Sequence, residues 1–366
     1  MWQNLSPKTR RNISRILPFG IIWLASSLVF LVVEKAAVAG LSVAPSTGIA
    51  VNFEIFLFGS LAITLVGLLV GTLEVLYLDR LFARQSFTRK ILYKTLLYLG
   101  ILLIVTLLTY PIAASLELGV GLFDPQVWDK LFRYLISFTH LSTDLQLAVA
   151  LVISLFYAEI SENIGHGILI NFFTGKYHRP LEEKRIFLFL DMKSSTTIAE
   201  QLGHVRYFEL LKEYYDDLSN AVVEHSGEIY QYVGDEIVVS WTYPTGLRNH
   251  NCIRCFFAMK EALQKQADRY RRKYGLAPTF KAGIHGGEVT TGEIGAIKKE
   301  IIFTGDVLNA TARIQALCNT YGVDLLISAE LLKELDFGSA YETRPLGQIE
   351  LRGKKEYLEL FAILRS

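Results

Sequence analysis

The 366-residue chain is 51% hydrophobic and only 20% charged, and its mean hydropathy of +0.31 is high for an ordinary soluble protein. A formal charge of +1 gives no global attraction to nucleic acid, so any recognition of anions must be local. Cys252, Cys255 and Cys318 are too few and too unevenly numbered for a disulfide framework, which fits a reducing compartment for the half that holds them.

The apolar material lies before about residue 175. Runs at 16–38, 49–78, 91–114 and 145–164 are each near or above the ~20 residues a helix needs to span hydrocarbon, which predicts four spans. The first run is long, lacks a small-residue cleavage pattern and is followed by further spans, unlike a cleaved signal peptide. Basic clusters stand before the first span (Lys8, Arg10, Arg11, Arg15), between the second and third (Arg80, Arg84, Arg89, Lys90) and after the fourth (Lys176, Arg179, Lys184, Arg185). The loop near "SVAPST" has no Lys or Arg. The positive-inside rule then predicts a multi-pass protein of the inner or plasma membrane, in contact with lipid, with both termini cytoplasmic. "VWDKLFRYLISFTHLS", residues 127–142, has apolar positions at helical spacing and reads as one amphipathic segment at the outer interface.

Polar residues also occur in or near the spans: Glu34, Lys35, Glu54, Glu74, Asp144, Glu159, His140 and His166. Intramembrane carboxylates are costly, and most of these are expected at span ends or paired across helices. The two histidines stand on different helices, with no spacing that selects haem ligation over packing. The stretch "YAEISENIGHGILINFFTGKYHRPLEEK" is expected to continue as helix until Gly175, with Pro180 ending any regular element.

From Glu182 onward, strands alternate with amphipathic helices. "RIFLFLDM" is a buried-strand run ending in an acid, followed by "KSSTTIAEQLG", whose Ser and Thr residues suit a helix N-cap. "VRYFELLKEYYDDLSNAVVEH" continues as helix, and "EIYQYV", Gly234-Asp235 and "EIVVSW" form a β-hairpin. A further helix over "NCIRCFFAMKEALQKQADRYRRKYG" and the strand "TFKAGIH" complete a βαββαβ order, the ferredoxin-like arrangement. Cys252 and Cys255 fall inside that helix without a second ligand pair, so they are packing residues rather than a zinc site. The "HGGE" stretch, 285–288, reads as a tight reversal between strands.

If the first strand and the hairpin are neighbours, Asp191 and Asp235 converge at one sheet edge. Two close carboxylates repel unless a cation lies between them, and oxygen ligands of this kind suit Mg²⁺ or Mn²⁺ held jointly with substrate phosphates. The backbone amides of residues 193–197, including Lys193, Ser194, Ser195 and Thr196, open a helix N-terminus that suits an anion. Together these features point to a nucleoside triphosphate and two divalent metal ions.

Over roughly residues 183–364 the chain resembles the class III nucleotidyl cyclases. "FLFLDMKSST", "GEIYQYVGDEIVVSW", "AGIHGGEVTTGEIG", "GDVLNATARI" and "LRGKKEYLELF" occur in that family's order. By this resemblance Asp191 and Asp235 match its metal-binding aspartates, with the backbone carbonyl of Met192 as an added ligand. Asn309 and Arg313 match the pair that orients the ribose and stabilises charge at the α-phosphate, and Lys354 matches the lysine on the terminal phosphates. Asn309 and Arg313 fall one helical turn apart, so both can reach one ligand.

The positions that read the base in family adenylate cyclases fall on Thr279 and Ile302, neither of which matches the pattern for adenine or guanine. Lys281 and Glu300, two residues away on the same strand faces, offer a shifted pair. The resemblance implies ATP as substrate, with GTP the alternative. It also implies a homodimer in which metal aspartates of one protomer face the Asn, Arg and Lys of its mate. "VGDEI" is similar, too, to the "GGDEF" hairpin of diguanylate cyclases, although Val233 replaces the first glycine. A non-catalytic nucleotide sensor is the third reading. The expected organisation is a transmembrane helical domain (1–157), a helical linker (158–182) and an α+β catalytic domain (183–366).

Overall fold

The structure, a computed structural model, describes residues 5–38, 52–78, 81, 87–335, 340–350 and 357–365. The chain folds as two compact units, one of residues 9–170 and the other of residues 171–366 grouped with the N-terminal residues up to Lys8.

The first unit is helical: α1 (Pro7–Val38), α2 (Phe53–Leu73) continued by a π-helical turn (Glu74–Leu78), α3 (Phe87–Leu118), α4 (Pro125–Leu135), α5 (Phe138–Ile164) and α6 (His166–Thr174). Among the described residues four helical stretches are long and apolar enough to cross a membrane: Pro7–Val33, Phe53–Leu78, Leu96–Leu118 and His140–Glu162. The unit turns apolar side chains such as Leu57, Leu61, Leu103 and Val152 outward, as expected where the surrounding solvent is lipid. Small residues let the helices close. A Cβ on Gly67 would lie 2.8 Å from the Trp23 side chain, and one on Gly71 would lie 2.8 Å from Phe19, so the Gly67–Gly71 spacing seats α1 against α2. Trp23 Nε1 donates to Ser154 Oγ at 3.0 Å.

Two expectations about this region change. The segment 127–142 is not one amphipathic helix, because Ser137 caps the start of α5 by accepting from the His140 amide. Val127, Leu131 and Tyr134 of α4 are buried with Tyr110 and Ala114 of α3, so the apolar stripe packs on protein. The helix before Gly175 is also interrupted, since Gly165 ends α5 with φ of 96° before α6 begins. Of the polar residues, Glu74 of the π-helical turn pairs with Lys94 of α3, and His140 lies 3.3 Å from Asp144 one turn along α5. The side chains of Glu34, Lys35 and His166 lie outside the described residues.

The second unit is an α+β sheet: β1 (Leu181–Met192), α7 (Ser195–Leu202), α8 (His204–Glu224), β2 (Glu228–Val233), β3 (Glu236–Thr242), the short α9 (Tyr243–Leu247), α10 (Asn251–Tyr274), β4 (Phe280–Ile294), β5 (Glu300–Thr304), α11 (Asp306–Tyr321), β6 (Leu325–Ser328), the short α12 (Ala329–Leu332), β7 (Tyr341–Glu350) and β8 (Tyr357–Arg365). The strand order is β2-β3-β1-β4-β6-β8-β7, with β5 paired to β4. The β2-β3-β1-β4 portion, all antiparallel, realises the expected βαββαβ core.

β1 is apolar on both faces because both are covered. Ile186, Leu188 and Leu190 pack with Leu210, Tyr214 and Leu218 of α8 and with Ile253 and Phe256 of α10, while Phe187 and Phe189 face Val238, Val289 and Val307 on the other side. Cys252 and Cys255 are free and buried, with burial pushing both thiols up. Residues 285–288 do not reverse the chain, since β4 runs unbroken through them in register with β1. Their glycines serve close approach: a Cβ on Gly286 would lie 2.9 Å from the Tyr243 ring, and one on Gly287 would lie 2.7 Å from Val307. His285 is buried, its Nδ1 2.8 Å from Ser328 Oγ.

Candidate active site

Asp191 is the penultimate residue of β1, and Asp235 sits in the turn between β2 and β3. The last β1–β3 pair, Leu190 with Ile237, brings the strand end beside the hairpin tip. Gly234 takes φ of 63° there, a left-handed conformation that favours glycine. The two carboxylates meet. Burial pushes the Asp235 carboxyl above its ordinary range, the adjacent Asp191 carboxyl adds to the rise, and a hydrogen bond with Ser195 opposes it. Glu236 is raised as well, first by burial and then by Asp191 and Asp235.

This donor set fits a divalent cation. Asp235 Oδ2 is buried and makes no hydrogen bond among the described residues, and its nearest charged companion is another carboxylate. Among the described residues no group of three or more His, Cys, Asp or Glu forms a closed cage. Two adjacent carboxylates make a partial set of oxygen donors, the kind that phosphate oxygens and water complete around Mg²⁺ or Mn²⁺.

Met192 buries its side chain in the core, so only its backbone can serve the site. Lys193 is held by a backbone bond to the Thr279 carbonyl at 2.8 Å and by an ion pair with Asp324. Ser194 precedes α7 with φ of 56° and makes no side-chain cap bond, contrary to the N-cap expectation: its left-handed backbone replaces the extended cap geometry. Ser195 and Thr196 then open α7.

Asn309 and Arg313 lie on α11, exposed and half-buried respectively. The helix buries Val307, Ala310, Thr311, Ile314 and Gln315. Arg313 lies about 200° around the helix from Gln315, so the pair faces away from the side on which Gln315 meets Asp191. Among the described residues no hydrogen bond or ion pair joins Asn309 or Arg313 to the two aspartates. Lys354 lies outside the described residues.

Thr279 and Ile302 are not brought together within one chain. Thr279 precedes β4, whereas Ile302 pairs with Gly292, twelve residues beyond the first residue of that strand. The shifted pair also dissolves: Lys281 lies opposite Asp191 in the β1–β4 register with Nζ 3.4 Å from Asp191 Oδ2, and Glu300 pairs with Lys298. Lys281 therefore serves the carboxylate of its own chain. Gln315, which no sequence motif singled out, donates from Nε2 to the same Asp191 Oδ2 at 3.2 Å. Its signal was positional: Asp191 faces β4 in register, and Gly283 on β4 is where α11 comes closest.

A two-carboxylate sheet edge on a ferredoxin-like core defines a class of metal-dependent nucleotide enzymes. The chain belongs to the adenylate and guanylate cyclase catalytic domain family, whose description matches residues 179–364. It is 34% identical over 209 residues to "Adenylate cyclase 2" of Rhizobium meliloti, covering 57% of this chain and 58% of that one. It is 30% identical over 183 residues to "Adenylate cyclase 1" of the same organism, covering 48% and 27%. These matches thus span about half of the first relative and about a quarter of the second. A solved bacterial light-regulated adenylyl cyclase shares the fold, with a TM-score of 0.52 at 18% identity over 60% of this chain and 64% of that one.

Proposed function

We propose that this protein is a membrane-bound adenylate cyclase that converts ATP to 3′,5′-cyclic AMP and pyrophosphate, with sites shared between the protomers of a homodimer. The observation that carries the reading is the Asp191–Asp235 pair, whose buried Oδ2 on Asp235 has no hydrogen-bond partner among the described residues. The two carboxylates and the Met192 carbonyl would hold two Mg²⁺ or Mn²⁺ ions. When bound, such ions lower the pKa of the ribose 3′-hydroxyl and neutralise charge on the phosphates.

The chain's own residues bind and orient. Amides at the start of α7, over Ser194, Ser195 and Thr196, receive the phosphates, while the Lys193 amide is held by the Thr279 carbonyl. Asn309 fixes the ribose, Arg313 stabilises charge developing at the α-phosphate, and Lys354 holds the terminal phosphates. Because Asn309 and Arg313 face away from the aspartates of their own chain, a two-fold dimer supplies each site with both sets. Thr279 and Ile302 stand at opposite ends of β4, so both could face one base only as Thr279 of one protomer and Ile302 of its mate. ATP is favoured over GTP because curated relatives matched over this region bear the name adenylate cyclase.

The four apolar helices anchor the protein and confine catalytic domains near one another, with 1–157 as membrane domain, 158–182 as linker and 183–366 as catalytic domain. Both termini lie in the cytoplasm: labels near Lys8 and Gln85 should be protected from an impermeant outside reagent, while one near Thr47 should react. The function itself is tested by incubating the purified full-length protein with Mn²⁺ and ATP or GTP, then identifying products by mass spectrometry. Cyclic AMP and pyrophosphate are expected. Cyclic GMP alone, a cyclic dinucleotide or no product would refute it.

A further inference from the structure

We propose that Gln315 is a positioning residue that aims the Asp191 carboxylate at the metal. The inference rests on reading Asp191 and Asp235 as metal carboxylates and adds a residue that this reading does not contain. Its basis is a convergence of donors. Gln315 Nε2 lies 3.2 Å from Asp191 Oδ2, and Lys281 Nζ lies 3.4 Å from that same oxygen. Both donor residues are buried, Gln315 at 6% exposure and Lys281 at 8%. One comes from a helix and one from a strand, so the carboxylate cannot rotate without losing contacts to two separate elements. Oδ1 is left as the oxygen for a cation.

The residue type suits the task. A carboxylate that swings freely presents either oxygen to a metal and loses orientational freedom on binding, whereas one already held does not. A second cation beside Asp191 would repel an incoming metal ion more strongly, while a neutral amide donates a hydrogen bond without adding charge. The helix is also set at a fixed height. A Cβ on Gly283 would fall 2.5 Å from the Gln315 backbone nitrogen, so the bare glycine lets α11 sit close enough for the amide to reach Asp191. One turn earlier, Thr311 is fully buried and bonds back to the Val307 carbonyl at 2.6 Å.

The test is a Mn²⁺ titration of full-length protein in micelles, followed by electron paramagnetic resonance, with 3′-deoxy-ATP present so that no turnover occurs. Gln315→Met keeps the length and helix preference of the side chain and removes the donor. It should weaken Mn²⁺ binding by roughly tenfold, the size expected when a partner of a metal ligand is lost. The unfolding midpoint of the metal-free protein should stay close to wild type. In turnover assays the half-saturating Mn²⁺ concentration should rise by a similar factor, with a smaller change in the KM for ATP at saturating metal. If Gln315→Met does not fold, Gln315→Asn withdraws the amide by one methylene and carries the same expectation. A folded variant that binds Mn²⁺ within twofold of wild type overturns the inference. Asp191→Asn, titrated alongside, separates the two failures: if it binds Mn²⁺ like wild type, the metal reading itself falls and this inference with it.

Discussion

The helical unit buries a carboxylate, the sheet unit half-buries one, and they treat it in opposite ways. In the helical unit Glu74 is 2% exposed, paired with Lys94 and accepting from the Tyr98 hydroxyl at 2.7 Å. In the sheet unit Asp235 is pressed against Asp191, and its Oδ2 has no hydrogen bond among the described residues. The first carboxylate has its charge answered by the protein and belongs to the architecture. The second has no positive charge of its own chain bonded to it among the described residues, as the proposed metal site requires. The sign of the neighbouring charge separates the two.

The largest effect expected from this contrast is catalytic. Asp191→Asn or Asp235→Asn should lower metal-dependent turnover by at least about 10³-fold, with expression and membrane insertion near wild type because the amide matches the carboxylate in shape and leaves an acceptor for Lys281 and Gln315 at position 191. Wild-type-like activity in either variant, measured as cyclic nucleotide formed per protein, would erase the distinction between the two carboxylates.

A smaller effect, on stability alone, should follow in the helical unit. Glu74→Met removes the carboxylate that faces Lys94 and should destabilise the unit by roughly 3 kcal/mol, read as a shift in denaturant midpoint in micelles. Adding Lys94→Met to that variant should restore most of the loss, since the buried cation is then removed together with the carboxylate that faced it. If the single change has no effect on stability, the pair is not structural.

The smallest effect concerns pH. Burial would raise the Asp324 carboxyl, but its bonds to Lys193 and Lys260 outweigh burial and hold it below the ordinary 3.8. Its folded pKa is therefore depressed, so its contribution is complete above the unfolded pKa and is lost as pH falls through the folded value. The groups are partly exposed and screened. The thermal midpoint of the full-length protein should drop on acidification below about pH 4, slightly less steeply in Asp324→Asn. An identical acid limb in the variant would mean that the Asp324 ion pairs contribute nothing to acid sensitivity.

Much of the sheet unit was legible in the sequence because local rules agree there. β1 is a continuous apolar run ending in Asp191, the hairpin is marked by Gly234-Asp235, and the βαββαβ order determines which strands are neighbours. Other features needed three dimensions. Gly286 and Gly287 look like a turn, yet they are small because Tyr243 and Val307 press on a continuous strand. Residues 127–142 look like one amphipathic helix, yet Ser137 divides them. Gln315 has no motif of its own; it acquires meaning only where α11 crosses Gly283 and meets Asp191. Lys281 was visible as a charged residue on β4, but its partner was set by strand register.

In the shared-site proposal the aspartates of one chain work with Asn309 and Arg313 of another. Co-expression of Asp191→Ala and Arg313→Ala chains, each inactive alone, tests it most directly. Random pairing should make about half of the dimers mixed, each with one rebuilt site of two, so roughly a quarter of wild-type activity should return. Mixed dimers that are shown to form, by differential tags and co-purification, and that recover no activity would contradict the shared site.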